Sequence, residues 1–317
     1  MNILVKKAVI NDADSLFSIQ KQSFERLYRI YQDDANPYLR GSDEIKNQIE
    51  NGTRDIYLIF VDGVLSGGIA VREKGEGEYY LNRIYILPQL QGKGIGRKAV
   101  ELCERNYPDA KKWTVDFPSD QTANRKCYEY SGYYDTGKRE IISDKLQLAL
   151  YEKAINGIFE IHQAQLELAA EVIRASFATV ARDFSITKEN CPQHTSFITA
   201  EELQKNLDWG WLMYGLYDKS RLVGYISISK TREVNNVYEI HNVSVLPKYR
   251  HKGYGKQLLD YCKAKVKKLG GNQINIGIIE DNTVLKNWYA ANGFVHTGTK
   301  IFDHLPFRVG FMEFNFI

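Results

Sequence analysis

The sequence predicts two α+β domains in tandem, and three observations carry that reading. Its 317 residues suit two domains of roughly 150 residues, each large enough for its own core. Residues 84–97, Ile-Tyr-Ile-Leu-Pro-Gln-Leu-Gln-Gly-Lys-Gly-Ile-Gly-Arg, return at 243–256 as Val-Ser-Val-Leu-Pro-Lys-Tyr-Arg-His-Lys-Gly-Tyr-Gly-Lys, without a gap and at an offset of 159 (247 − 88). Around each copy, β-branched runs and segments of helical periodicity follow in the same order. The expected domains are 1–154 and 155–317, joined near Ala154–Gly157 without a long linker.

Each half reads as strand, helical segment, two strands, strand, helix, strand, helix, two strands. The early helical segments are Asp14–Gln32 and Leu166–Ala181, followed by less regular stretches through Gly52 and Trp209. Ile56–Val61 and Leu65–Arg72 flank Asp62-Gly63, a hairpin signal, and Trp211–Tyr217 and Leu222–Lys230 are their counterparts. The helix after each glycine-rich turn places Ala99, Val100 and Cys103, or Leu258, Leu259, Cys262 and Val266, on one face. Strands follow at Lys112–Phe117 and Gln273–Ile279. Helices then end at Gly132 and Gly293, where glycine suits a left-handed cap. The closing strands are Arg139–Ser143 with Leu146–Lys153, and Gly298–Phe302 with Phe307–Phe316.

Composition narrows the function. The balance of 42 basic and 39 acidic residues, +3, is too small to argue for nucleic acid. No stretch approaches the ~20 apolar residues of a membrane span, and Met-Asn-Ile-Leu-Val-Lys-Lys lacks the zones of a signal peptide. Cys103, Cys127, Cys191 and Cys262 form no C-x-x-C pair, which argues against a zinc or disulfide framework. A cytoplasmic protein with no metal is expected, its two halves packed together in a monomer or homodimer.

The glycine turns carry the chemistry. A strand feeding glycine-rich backbone into a helix N-terminus offers unpaired N–H groups and the positive end of the helix dipole to an anion. Lys93, Arg97, Lys98, Arg250, His251, Lys252 and Lys256 add positive charge there. Neither copy has the third glycine of a dinucleotide fingerprint, nor a Walker-A loop. What remains is Leu-Pro-x-x-[Gln/Arg]-x-x-Gly-x-Gly, with Tyr-x-x-x-Gly-[Tyr/Phe] further on at Tyr128–Tyr133 and Tyr289–Phe294.

In these motifs the sequence resembles the GNAT superfamily of acyl-CoA-dependent N-acyltransferases, over nearly the whole chain and as two tandem copies. The resemblance implies that each half is a mixed, largely antiparallel sheet flanked by helices, whose central strands splay apart. It implies that backbone N–H groups of Gln91, Gly92, Lys93, Gly94, Ile95 and Gly96, and of Arg250, His251, Lys252, Gly253, Tyr254 and Gly255, grip the pyrophosphate of acetyl-CoA, flanked by Arg97 and Lys256. The pantetheine arm would then run along the backbone of Ile84–Ile86 and Val243–Val245, with Asn282 contacting it in the second half; Gln121 stands at that place in the first. The resemblance further implies tyrosine acids at Tyr128 and Tyr289, since a hydroxyl of reference pKa ~10 can protonate a departing thiolate of ~8.5. A carboxylate base falls on Glu239; the matching position is Tyr80, with Glu78 one strand period away on the same face. His241 shares Glu239's face.

The expected activity is direct acetyl transfer to a primary amine of a small molecule or peptide, with the chemistry in the C-terminal half. Two alternatives remain at this level: both halves are active, or the protein binds acyl-CoA without catalysis.

Overall fold

The computed structural model describes residues 1–231 and 234–316. It divides into two compact units, Met1–Ile155 and Asn156–Ile317.

Unit 1 contains β1 (Ile3–Lys7), α1 (Ala13–Tyr31), α2 (Ser42–Glu50), β2 (Asp55–Val61), β3 (Val64–Gly75), β4 (Glu78–Ile86), α3 (Ile95–Glu104), β5 (Lys112–Pro118), α4 (Thr122–Tyr130), β6 (Tyr134–Ser143) and β7 (Leu146–Ala154). Unit 2 repeats the series: β8 (Gly157–Glu160), α5 (Leu166–Asp183), α6 (Ala200–Asp208), β9 (Leu212–Asp218), β10 (Arg221–Lys230), β11 (Val237–Val245), α7 (Tyr254–Lys268), β12 (Gln273–Ile279), α8 (Thr283–Ala291), β13 (Val295–Ile301) and β14 (Arg308–Asn315). Each unit has one seven-stranded sheet, β1-β2-β3-β4-β5-β7-β6 and β13-β14-β12-β11-β10-β9-β8. Among the described residues, only β4–β5 and β11–β12 pair in parallel. The mixed, largely antiparallel α+β architecture is therefore present twice.

The stretches read as less regular hold helices α2 and α6. Their start signals lie in the sequence. Thr199 and Glu202 form a reciprocal capping box on α6, and Asp43 and Glu44 occupy the first turn of α2, where they complement the helix dipole.

The hairpin Asp62-Gly63 takes positive φ at both residues, 48° and 83°, as a two-residue turn of type I′ requires. Unit 2 makes the same turn from Lys219 and Ser220, at 50° and 63°, without glycine. One apolar cluster of unit 1 packs Ile95, Ala99, Val100 and Cys103 of α3 against the sheet. Its counterpart packs Leu258, Leu259, Cys262 and Val266 of α7.

Large and small residues are exchanged across one cross-strand pair. In unit 1, Gly68 of β3 faces Tyr85 of β4, and a Cβ at Gly68 would come within 2.5 Å of the Tyr85 hydroxyl. In unit 2 the register position holds Tyr225 opposite Ser244.

Candidate active site

The parallel contact between β11 and β12 is short. It covers Val237↔Gln273, Tyr238↔Ile274 and Glu239↔Asn275, after which the strands separate. The cause is local: a bulge in the β10–β11 ladder places Asn242 at φ 54° and bends β11 away. In unit 1, β4 and β5 likewise pair only from Glu78↔Lys112 to Tyr80↔Thr114.

At the end of each splayed strand the chain enters its glycine turn. Gly92 and Gly94 have φ 75° and 77°; His251 and Gly253 have 62° and 81°. A Cβ added at Gly92, Gly94 or Gly253 would meet nothing within 4 Å, so open space lies before the turn. Helices α3 and α7 begin there, with four N–H groups each lacking an intrahelical acceptor. The next glycine does different work. A Cβ at Gly96 would stand 3.3 Å from Cys127 Sγ, and one at Gly255 3.3 Å from Trp288, so these glycines let the two helices of each unit approach.

The [Gln/Arg] side chain braces each turn. Gln91 Nε2 donates to the Ile86 carbonyl at 2.9 Å. Arg250 Nε donates to the Val245 carbonyl at 3.2 Å, while its Nη groups reach Thr179 Oγ1 at 3.1 Å and the Ser176 carbonyl at 2.7 Å. The Ile86 and Val245 carbonyls are thus engaged within the protein. Ile95 is buried in the core, so only its backbone can face a ligand. Lys98 and Lys256 pair with Glu101 and Asp260 of their own helices, whereas Lys93 and Arg97 are exposed.

In unit 2 the splay opens into a cleft of about 880 Å³ lined by Glu239, His241, Val243, Asn282 and Tyr289 together. Phe177, His194 and Phe307 lie on its wall, and Glu313 joins its floor. Glu239, Asn275 and Glu313 lie side by side in register across β11, β12 and β14. Tyr289 is 2% exposed, and burial followed by the nearby Cys262 pushes its hydroxyl pKa up, which keeps the proton on the oxygen. Asn282 caps α8, its Oδ1 accepting from Leu285 N–H at 3.1 Å. His241 stacks on Trp211 at 3.9 Å, its Nε2 is 2.8 Å from Ser229 Oγ, and Glu239 Oε2 lies 3.8 Å away. Burial lowers the His241 pKa to about 4, outweighing that carboxylate, so the ring is neutral near pH 7.

Unit 1 arranges the same positions differently. Tyr80, which stands where unit 2 has Glu239, donates to Asp116 Oδ2 at 2.8 Å, from the last paired residue of β4 to a residue of β5 just past its last paired one, Thr114. Burial raises the pKa of both groups. Glu78 pairs with Lys112 at 3.2 Å, at the closed end of the splay. Tyr128 is buried, its pKa pushed well up by desolvation. Gln121 donates to Tyr31 Oη at 2.6 Å, and Tyr31 donates to Asp120.

The sequence reading placed Trp211, Ser229, Asp116 and Glu313 in strands but gave none of them a role in the site. Strand alternation places Ser229 and Glu313 on a half-buried face, but only sheet register aligns Ser229, Glu239 and Glu313. Among the described residues, no cluster of His, Cys, Asp and Glu could hold a metal, and no helix is long and apolar enough to cross a membrane.

Two splayed sheets, each leading into an open glycine turn at a helix N-terminus, have the arrangement expected of an acyl-CoA-dependent transferase. The sequence profile of the Acetyltransferase (GNAT) family matches twice, over residues 20–133 and 180–294. The chain belongs to the GNAT acetyltransferase family as a tandem member, and it is an N-acetyltransferase. It is 24% identical over 143 residues to an uncharacterized N-acetyltransferase in the pepI 3′ region of Lactobacillus delbrueckii subsp. lactis, spanning 42% of this chain and 82% of that protein. Similar solved structures include the PaiA N-acetyltransferase of Thermoplasma acidophilum in complex with coenzyme A, 23% identical with TM-score 0.40, covering 50% of this chain and 98% of that one. Another is the ribosomal-protein-S18-alanine N-acetyltransferase of Escherichia coli, 14% identical with TM-score 0.41, covering 51% and 94%.

Proposed function

We propose that unit 2 transfers acetyl from acetyl-CoA to a primary amine of a small molecule or peptide, while unit 1 keeps a coenzyme A turn without equivalent chemistry. One observation carries this reading: the unit 2 cleft gathers Glu239, Asn282 and Tyr289 around an open splay, whereas in unit 1 the position of Glu239 is Tyr80, whose hydroxyl is tied to Asp116 where the strands begin to separate.

The residues present suit coenzyme A. Its pyrophosphate would meet the N–H groups of Arg250–Gly255, or Gln91–Gly96, in the open space before each turn. Bound acetyl-CoA supplies a thioester carbonyl for an amine to attack. Glu239 takes the proton that the acceptor ammonium must lose, directly or through one water. Backbone N–H at the β11 bulge, around Asn242–Val243, stabilises the developing oxyanion. Tyr289 holds its proton ready for the departing sulfur. The carboxylates Glu239 and Glu313 favour a cationic acceptor.

Acetyl-CoA turnover over a panel of polyamines, aminoglycosides, amino acids and peptides tests the assignment, with coenzyme A titration giving the number of sites per chain. The expected result is two coenzyme A sites and an acceptor-dependent activity that Glu239→Gln lowers roughly a hundredfold. Coenzyme A binding with no turnover on any acceptor favours the non-catalytic alternative. Activity unaffected by Glu239→Gln but lost in Tyr128→Phe would transfer the chemistry to unit 1.

A further inference from the structure

Unit 1 holds a concentration of arginine that acetyl transfer does not use. Arg83 lies on β4 where unit 2 has Asn242, a cleft-lining residue, and Arg54 precedes β2 where unit 2 has Trp211. Together with Arg40 they converge on a single carboxylate. Arg83 Nη2 is 3.6 Å and Arg54 Nη1 3.8 Å from the same Glu44 Oε1, and Arg40 Nε is 3.8 Å from Oε2. All three distances exceed hydrogen-bonding range. Gln48 Nε2 already donates to that Oε1 at 2.8 Å.

Three guanidiniums around one carboxylate leave a local excess of two positive charges in a half-buried place. Arg83 is 13% and Arg54 24% exposed. Arg83 has one further partner, Gln20 Oε1 at 2.9 Å, and Arg40 donates to the Asp34 carbonyl at 3.2 Å. Arg54 Nη1 is buried without a hydrogen-bond partner. Leaving such a donor unpaired is costly, and a bound oxyanion removes the cost. Unit 2 has Trp211 and Asn242 at the positions of Arg54 and Arg83, stacks Trp211 on His241, and lines its cleft with Glu239 and Glu313, so the arginine excess has no counterpart there.

We propose that Arg40, Arg54 and Arg83 form a binding site in unit 1 for an oxyanion, the carboxylate or phosphate group of a small molecule. The planar forks of guanidinium match both groups in the same bidentate way. Glu44 is the resident competitor, too far from each fork to saturate it. The site does not depend on which unit transfers acetyl, and it is separate from the glycine turns, which the substitutions below leave intact.

The test titrates the full chain with inorganic phosphate and, separately, with succinate at constant ionic strength, following heat and thermal stability. The difference between wild type and Arg54→Gln or Arg83→Gln isolates this site from the turns. Each variant is expected to weaken binding about tenfold, the worth of roughly one charge-assisted hydrogen bond. Glu44→Gln is expected to tighten it, because the competing carboxylate is gone. Arg83→Lys, which keeps the charge but not the fork, provides a milder variant should Arg83→Gln fail to fold, and it too should weaken binding. Binding of phosphate, of succinate or of both that the arginine variants weaken supports the site and identifies the anion. The proposal fails if neither anion binds saturably, if binding is unchanged in Arg54→Gln and Arg83→Lys, or if Glu44→Gln weakens it.

Discussion

Replacing Tyr289 by phenylalanine separates packing from chemistry in unit 2. The ring is 2% exposed and packs on Trp288 and Phe294, with centroids 4.8 Å and 5.4 Å away. Phenylalanine keeps all of that contact. Among the described residues no protein group hydrogen-bonds to the hydroxyl, so its removal should change stability by no more than about 0.5 kcal/mol. As the acid that protonates the leaving sulfur, the same hydroxyl is worth roughly 10²–10⁴ in rate, or about 3–5 kcal/mol of barrier. The expected signature is an unchanged melting temperature, a KM for acetyl-CoA within about threefold, and kcat reduced at least about a hundredfold. Tyr128→Phe, the same change in unit 1, should leave kcat near wild type. Steady-state kinetics beside thermal denaturation reads both. If Tyr289→Phe keeps kcat within about threefold while folding normally, the hydroxyl is a packing passenger and the acid assignment falls.

His241 should make unit 2 sensitive to acid. Its folded pKa, about 4, lies below the reference 6.5, so the unfolded chain binds the proton first, and stability present above pH 6.5 is lost as pH falls toward 4. The span corresponds to about 3 kcal/mol. Denaturation across that window should show the slope in wild type and a flatter one in His241→Phe; equal slopes would refute the linkage. Gly255→Ala adds a Cβ 3.3 Å from Trp288 and presses on the helix that carries Tyr289, so kcat should fall together with about 1–3 kcal/mol of stability. Gly253→Ala meets no atoms but must hold φ 81°, a strain of about 1–2 kcal/mol, and should chiefly weaken coenzyme A binding in titrations.

Much of this was legible because it depends on local backbone chemistry. The positive φ of Gly92, Gly94, Gly253 and Asp62-Gly63, and the left-handed caps at Gly132 and Gly293, follow from glycine placement alone. Asn282 and Tyr289, singled out through the family resemblance, both line the unit 2 cleft. The rest depends on tertiary approach. Asp116 meets Tyr80 across 36 residues, and Arg250 reaches back 74 residues to α5. No periodicity encodes such pairs. Lys219-Ser220 shows the limit from the other side: the turn type persists after its usual residues are gone, held by the hairpin on either side. Helices α2 and α6 were missed where short capping signals sat in polar sequence.

The exchanged pair, Gly68 with Tyr85 and Tyr225 with Ser244, bears on how a chain with two like halves assembles. Repeats emerging from one ribosome can cross-pair, one copy's strand adding to the other copy's sheet. A hybrid of β10 with β4 in the native register would set Tyr225 against Tyr85, two rings where the fold has room for one. A hybrid of β3 with β11 would set Gly68 against Ser244 and leave the space of a ring empty. Both hybrids are penalised while both native pairings fit. The reciprocal sizes thus favour native over crossed pairing of sister strands.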